Sequence, residues 1–468
     1  EKNSVEIVEY LNKSGKLPSE ILFKGIGADS RSIRKLLEQA SIDDSCAGVI
    51  AWMHTFSPAK MWIAGLKGLT KPLLHFHTQY NREIPLDEID MDYMNLHQSA
   101  HGDREFGFIC TRMRKRRKVI TGYFKDDSTA EEISIWMRAA VGIMASKELE
   151  CVRFGDNMRQ VAVTEGDKVE AEIVLGWQVD YVPVGELAEE VSKVSNEEAE
   201  SCYAEMQKKY DIVTDNKDAV VYQIKLELAL RKIMERMGAD AFSTNFQDLY
   251  GLKQLPGLAC QRLMAEGKGF AGEGDWKTAC LQAVMKGMEQ GLGGGSAFME
   301  DYTYQMSGDG LVLGAHMLEV DPSIGEGRIS IDVEPLGIGD REPPARMKFS
   351  GKEGRATCVS IIDMGGRLRM IAADVEAVVA EKAVGKMPNL PVAQIMWKPL
   401  PNLKTASEAW IYAGGAHHTV LTYSLTAEHM REFAEMAGIE FIHIGADTEI
   451  SSFRDALKVS ESVWRRQD

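Results

Sequence analysis

Short apolar runs alternate with longer amphipathic ones along the first two-thirds of the chain. Residues 47–53 (AGVIAWM), 72–77 (PLLHFH) and 118–124 (KVITGYF) are rich in β-formers and read as strands. Segments with turn residues or helical spacing follow them. Within 127–146, Ile133, Trp136, Met137, Ala140, Val141 and Ile143 recur at helical intervals. A second alternating unit starts near residue 150 (ECVRFGD), with a helix over 219–238, a strand over 240–246 and a helix over 255–267. Another helix opens at Asp275, where an acid in the first turn suits the helix dipole. Such β-then-α alternation predicts open, mainly parallel sheets covered by helices. Past residue 295 the texture changes: 328–333, 345–349, 356–363 and 367–375 are short β-rich runs between glycine or charged turns. A helical period is expected there only at 426–437. The expected fold is α/β: two open, doubly wound α/β domains (1–149 and 150–294), then a β-rich, barrel-like C-terminal domain (295–468).

A length of 468 residues suits two or three cores, and 44% hydrophobic with 26% charged residues is a globular balance. The net charge of −16 argues against a nucleic-acid binder, because a polyanion partner needs a basic surface. The one basic run (Arg112, Arg114, Lys115, Arg116, Arg117, Lys118) reads as a solvated helix end or a subunit contact. Seven scattered cysteines with no CxxC pair form neither a disulfide framework nor a zinc knuckle, and suit a reducing compartment. No apolar run is long enough to span a bilayer, and the polar opening 1–6 does not read as a signal peptide. The expected location is the cytoplasm, with no membrane partner.

Three places carry candidate chemistry. Glu273 sits between two glycines (GFAGEGDWK, 269–277) at an expected strand-to-helix junction, where open α/β sheets bind ligands; a turn with a solvated acid is the plainer reading. Glu300 (SAFMEDYTY, 296–304) shares an alternating face with Phe298, Tyr302 and Tyr304, so a carboxylate there is paired, protonated or metal-bound. His316 lies in an apolar run (LVLGAHMLEV), where a hydrogen-bonded core histidine is the plainer reading. In AGGAHHTV (413–420), adjacent histidines on an extended chain point to opposite faces, so at most one enters a given site. Two glutamates with one or two histidines and no convergent cysteine suit Mn²⁺, Mg²⁺ or Co²⁺. Spacing alone does not gather these residues into one site.

Longer stretches carry a resemblance. CAGVIAWMHTFSPAKMWIAGL (46–66), DMDYMNLHQSAHGDREFGFI (90–109), VRFGDNMRQVAVTEGDKVEA (152–171), LKQLPGLACQRLMAEGKGFAGEGDWKTA (252–279), SAFMEDYTY, GAHMLEV and ASEAWIYAGGAHHTV (406–420) resemble the L-arabinose isomerase family, in order along nearly the whole chain. The resemblance implies a fucose-isomerase-like architecture and one divalent metal, Mn²⁺ with Co²⁺ or Mg²⁺ as alternatives. Its ligands would be Glu273, Glu300, His316 and His418, with His417 on the other face. It implies a substrate pocket at Phe56, Gln98, His101, Met158, Phe246 and Ile338, and a homo-hexamer built from trimers with the site near a subunit interface. Departures are Tyr250 and Gln305 where the family usually has His, and His97 where it has Asn. The family usually opens with a strand and a GSQHLYG-like loop; residues 1–11 resemble the helix after it, so the natural chain is expected to start upstream.

The activity this implies is that of an intramolecular oxidoreductase converting L-arabinose to L-ribulose, with D-galactose to D-tagatose as a side reaction. In an enediol route one of Glu273 and Glu300, the expected catalytic pair, takes the C2 proton while the other shuttles protons at oxygen. A metal-assisted hydride shift is the competing route. The alternatives to an active enzyme are a catalytically impaired relative or a sugar-binding protein of the same fold; formation of ketose from L-arabinose with Mn²⁺ separates them.

Overall fold

The computed structural model describes residues 1–464, which form two compact units: Glu1–Met144 with Arg431–Ala437, and Ala145–Met430 with the chain from Gly438. In the first unit, strands Val49–Ala51, Leu73–His77 and Lys118–Thr121 make a parallel sheet in that spatial order. Apolar residues cover both faces. Ile7 and Leu11 of helix Lys2–Lys13, with Ile133 and Trp136 of helix Asp127–Lys147, pack on Leu74, Phe76 and Ile120. Ile33 and Leu37 of helix Ser30–Ile42, with Phe106 and Ile109 of helix Ser99–Arg112, pack on Ala51 and Leu73. Alternating strand residues thus feed opposite cores, which is what a doubly wound sheet requires.

The second unit holds a four-stranded parallel sheet in the order Gln178–Val182, Glu150–Phe154, Ala241–Thr244, Gly269–Ala271. Helices Lys217–Met237, Leu258–Ala265 and Trp276–Met288 flank it. It also holds a closed barrel of six antiparallel strands: Gly354–Asp363, His418–Thr422, Ser296–Gln305, Leu311–Ala315, Ile395–Pro399 and Leu368–Val378, which pairs back to the first. Closure leaves the ring without a free edge. Strand Glu440–Ile444 adds in parallel to the outside of Leu368–Val378. A smaller sheet joins Ala345–Gly351, Gly325–Val333 and Asp211–Ile212.

The expectation of no helix between residue 295 and 426 is corrected by helix Leu403–Ala413. Its buried stripe is Leu403, Ala406, Ala409 and Ala413, three of them alanines whose small side chains give a weak apolar period. The helix is instead marked at its ends. The Asn402 side chain accepts from Thr405 N at 3.0 Å, and Gly414 closes the helix with φ 80. Helix Ile450–Trp464, which the sequence reading did not contain, buries none of its residues. No helix among the described residues is long and apolar enough to cross a membrane.

Glu150, the first residue of an inner strand of the four-stranded sheet, has a buried Oε1 without a hydrogen-bond partner. Burial, with Asp180, Glu172 and Asp240 nearby, pushes its carboxyl from 4.5 up to about 7. A raised pKa in the fold means that stability is full below the unfolded value and is lost as pH rises through about 7. Glu150→Gln should therefore raise the melting temperature at pH 8 and change it little at pH 5, read by calorimetry at both values. An equal shift at both would show that the charge is not the cause.

Candidate active site

The Gly272–Glu273–Gly274 turn links strand Gly269–Ala271 to helix Trp276–Met288 at the carboxyl edge of the four-stranded sheet. Glu273 has φ 63, a left-handed conformation that costs a residue with a Cβ about 1–2 kcal/mol. Its surroundings hold it there. A Cβ on Gly272 would lie 2.8 Å from the His316 ring, and one on Gly274 (φ 78) would lie 2.6 Å from Asn157 Cα. Met158 N–H donates to Glu273 O at 2.9 Å, and Gly274 N–H to Thr244 O at 3.1 Å. An over-determined strained residue of this kind points to a functional constraint. The solvated-acid reading is corrected: the Glu273 side chain is only 17% exposed, and its Oε2 lies 3.4 Å from His417 Nε2.

The barrel supplies the other groups. In the register of its strands, Glu300 stands opposite Ala315 on one side and His418 on the other, and His316 directly follows Ala315. Neighbouring strands therefore bring together three residues that are distant in sequence. His418 is fully buried. Its Nδ1–H donates to Asp275 Oδ2 at 3.0 Å, while its Nε2 has no hydrogen-bond partner and lies 3.8 Å from Glu273 Oε2. His316 Nδ1 pairs with buried Glu319. The Phe298 ring packs against both imidazoles, at 4.8 Å from His316 and 4.9 Å from His418.

Charge is arranged to match. Burial opposes the Glu273 carboxylate, but the His417 hydrogen bond and the neighbouring imidazoles outweigh it and hold its pKa below the usual value. Burial pushes the His418 pKa down despite Asp275, which keeps the ring neutral. His316 goes the other way: burial is outweighed by Glu319, Glu300 and Glu273. The Glu273 hydrogen bond raises the pKa of His417.

A neutral imidazole that donates through Nδ1 keeps a lone pair on Nε2. Here that lone pair is buried and faces a carboxylate oxygen, an acceptor against an acceptor, which only a cation or a proton can reconcile. Glu273, His417 and His418 each offer a donor atom within 4.8 Å of the others, and Glu300 and His316 line the same cavity as Glu273. Carboxylates and imidazoles backed by the acids Asp275 and Glu319 make a chemically sound seat for a divalent metal.

The cavity, about 160 Å³, is lined by Glu273, Glu300, His316, Phe246 and Ile338 among the residues expected from sequence, and also by Tyr302 and Glu319. Met158 reaches the site through its backbone bond to Glu273. Phe56, Gln98 and His101 lie in the first unit. There the Phe56 and His101 rings are 4.7 Å apart, and Gln98 caps the helix that carries His101.

The opposite-face rule for the two histidines is corrected. His417 precedes strand His418–Thr422, so strand alternation does not apply to it, and both rings reach Glu273. Sequence reasoning placed Asp275 only in a helix first turn and did not single out Glu319. The spacing of His316 and Glu319, three residues apart, was the one available signal.

Comparison with known proteins completes the picture. The chain matches the L-arabinose isomerase N-terminal domain over residues 1–148, the central domain over 150–291 and the C-terminal domain over 295–440. L-arabinose isomerase 2 of Clostridium acetobutylicum is 52% identical to it over 456 residues, 96% of this chain and 92% of that protein. L-arabinose isomerase 1 of Bacillus licheniformis is 52% identical over 468 residues, 99% of this chain and 94% of that protein. The L-arabinose isomerase of Geobacillus stearothermophilus is 50% identical over 472 residues, again 99% and 94%. With matches to all three domains in order and about half of its residues shared with each of these relatives, this chain belongs to the L-arabinose isomerase family.

Proposed function

We infer that this chain is an isomerase, an intramolecular oxidoreductase that converts L-arabinose to L-ribulose. The observation that carries the reading is the pair Glu273 and Glu300 on one cavity, inside a chain about half identical to named L-arabinose isomerases over nearly its whole length. The reaction moves a proton between C1 and C2 while carbonyl and hydroxyl exchange places. It needs one group to take the C2 proton and another to exchange protons at oxygen. Glu273, held ionised by its histidine neighbours, is suited to accept a proton at neutral pH. Glu300, on the barrel wall of the same cavity, is suited to serve the oxygens.

Glu273, Glu300, His316 and His418 would hold the metal, Mn²⁺ by this reading, with His417 close enough to Glu273 to join or steer them. When bound, a divalent cation supplies Lewis-acid polarisation of the sugar's O1 and O2. Phe246 and Ile338 form apolar cavity walls, and Met158 holds the Glu273 backbone beside them.

The wider reading is a three-domain, fucose-isomerase-like architecture divided at 149/150 and 294/295, supported by the two parallel sheets and the barrel. It includes a cytoplasmic homo-hexamer in which Gln98 or His101 reaches the pocket of a neighbouring copy. Seven free cysteines and the exposed apolar residues Ile84, Leu86, Met91 and Leu96, just before Gln98, support it.

Glu300→Gln and His316→Ala should each lower Mn²⁺ affinity and ketose formation together, by at least about 10-fold. Glu273→Gln should cut kcat by about 100-fold or more while leaving the melting temperature near that of the parent. A variant that binds metal and forms ketose like the parent would remove its residue from the site. Apolar walls reject an added hydroxymethyl group by only about 1–3 kcal/mol, so kcat/KM for L-arabinose should exceed that for D-galactose by roughly 10–200-fold. A preference for D-xylose or L-fucose would contradict the substrate assignment.

A further inference from the structure

Lys277 is 1% exposed, a buried ammonium one helical turn from the active-site loop. A buried cation is costly unless it is fully paired, and two partners of this one, Asp275 and Thr164, lead to the site. Its Nζ donates to Thr164 O at 2.9 Å and Glu165 O at 2.6 Å, and lies 3.4 Å from Asp275 Oδ1. The side-chain stem has little room to move: a Cβ on Gly166 would lie 3.2 Å from Lys277 Cδ, and the ammonium sits 5.2 Å from the centre of the Trp276 ring.

Asp275 divides its two oxygens. Oδ1 faces Lys277 and the Thr278 amide, while Oδ2 accepts from Thr278 Oγ1 at 2.7 Å and from His418 Nδ1 at 3.0 Å. Pinning Oδ1 therefore fixes Oδ2, and Oδ2 fixes the rotation and the proton of the His418 ring.

We propose that Lys277 is a positioning residue for the metal seat: it clamps Asp275 so that His418 Nε2 stays bare and aimed at Glu273. The proposal rests on the reading above, that Glu273, Glu300, His316 and His418 hold a divalent cation. The same ammonium ties down the turn Ala162–Thr164, whose Thr164 carbonyl also accepts from Asn157, which donates in turn to Gly274 O. Lys277 thus joins the loop beneath Glu273 to the carboxylate behind His418. Without it, the Glu165 carbonyl loses its side-chain donor, the Thr164 carbonyl keeps only Asn157 and Asp275 Oδ1 only the long bond from the Thr278 amide, so Asp275 and the imidazole it orients are held less firmly.

The test is Mn²⁺ titration calorimetry on the full chain stripped of metal, with the melting temperature of the stripped protein as a check on folding. Lys277→Met should weaken Mn²⁺ binding by about 10–100-fold. In an Asp275→Asn background the same substitution should change Kd by less than about twofold, because its effect passes through Asp275. If the Met variant does not fold, Lys277→Gln, which keeps a donor but no charge, is titrated under the same criteria. A variant that binds Mn²⁺ like the parent, or that loses the same factor in the Asn background, overturns the proposal and leaves the seat intact. A parent that binds no divalent cation removes the seat, and the proposal with it.

Discussion

A buried imidazole with one nitrogen committed and the other bare organises the active site. His418 donates through Nδ1 to Asp275, and its Nε2 lies 3.8 Å from Glu273 Oε2. Two acceptors face each other, with His418 Nε2 fully buried, and such a contact persists only if the surroundings force it and a cation or a proton reconciles it. The structure supplies the force from both sides. Glu273 is held in a left-handed turn by glycines that leave no room for a Cβ, and His418 is held by a carboxylate that is itself anchored by Lys277 and Thr278. His316, backed by Glu319, repeats the carboxylate–imidazole arrangement across the Phe298 ring. Two histidines oriented by acids, His316 lining a cavity with two glutamates and His418 buried beside Glu273, form a preorganised polar site in which little reorganisation is left for the reaction.

The barrel is what makes that convergence possible. Residues 300 and 418 are brought together by strand register, with His316 just past the end of the neighbouring strand, and closure of the ring fixes that register, because a slip of one residue would turn the alternating set to the other face. The parallel sheet adds Glu273 from the loop at its carboxyl edge, where open α/β sheets place ligands. Each architecture contributes in its own way: the sheet gives a strained turn and a helix start, and the barrel gives a rigid wall.

Much of the fold is legible in local pattern, and the site is not. Strand Leu73–His77 is a short, largely apolar run buried on both faces, strand Ala241–Thr244 is rich in β-formers, and helix Lys217–Met237 has an apolar stripe, so period and turn signals find them. Helix Leu403–Ala413 escapes because its stripe is alanine and its evidence lies in Asn402 and Gly414. The pairing of His418 with Glu300 escapes for a different reason: register across a barrel is non-local, and no spacing within either segment encodes it. His417 escapes because the alternation rule holds only inside a strand, and this residue stands one position before it. Only resemblance over long stretches gathered Glu273, Glu300, His316 and His418 beforehand. The acids behind the histidines lay within quoted motifs, and their roles emerged only from distances.

The most direct measurement is anomalous diffraction at the manganese edge from crystals of the full chain grown with Mn²⁺. The account predicts one strong peak bounded by the Glu273 carboxylate and His418 Nε2, with Glu300 and His316 around it. A peak placed elsewhere, or none while His418 Nε2 takes a hydrogen bond from a protein group, would contradict it.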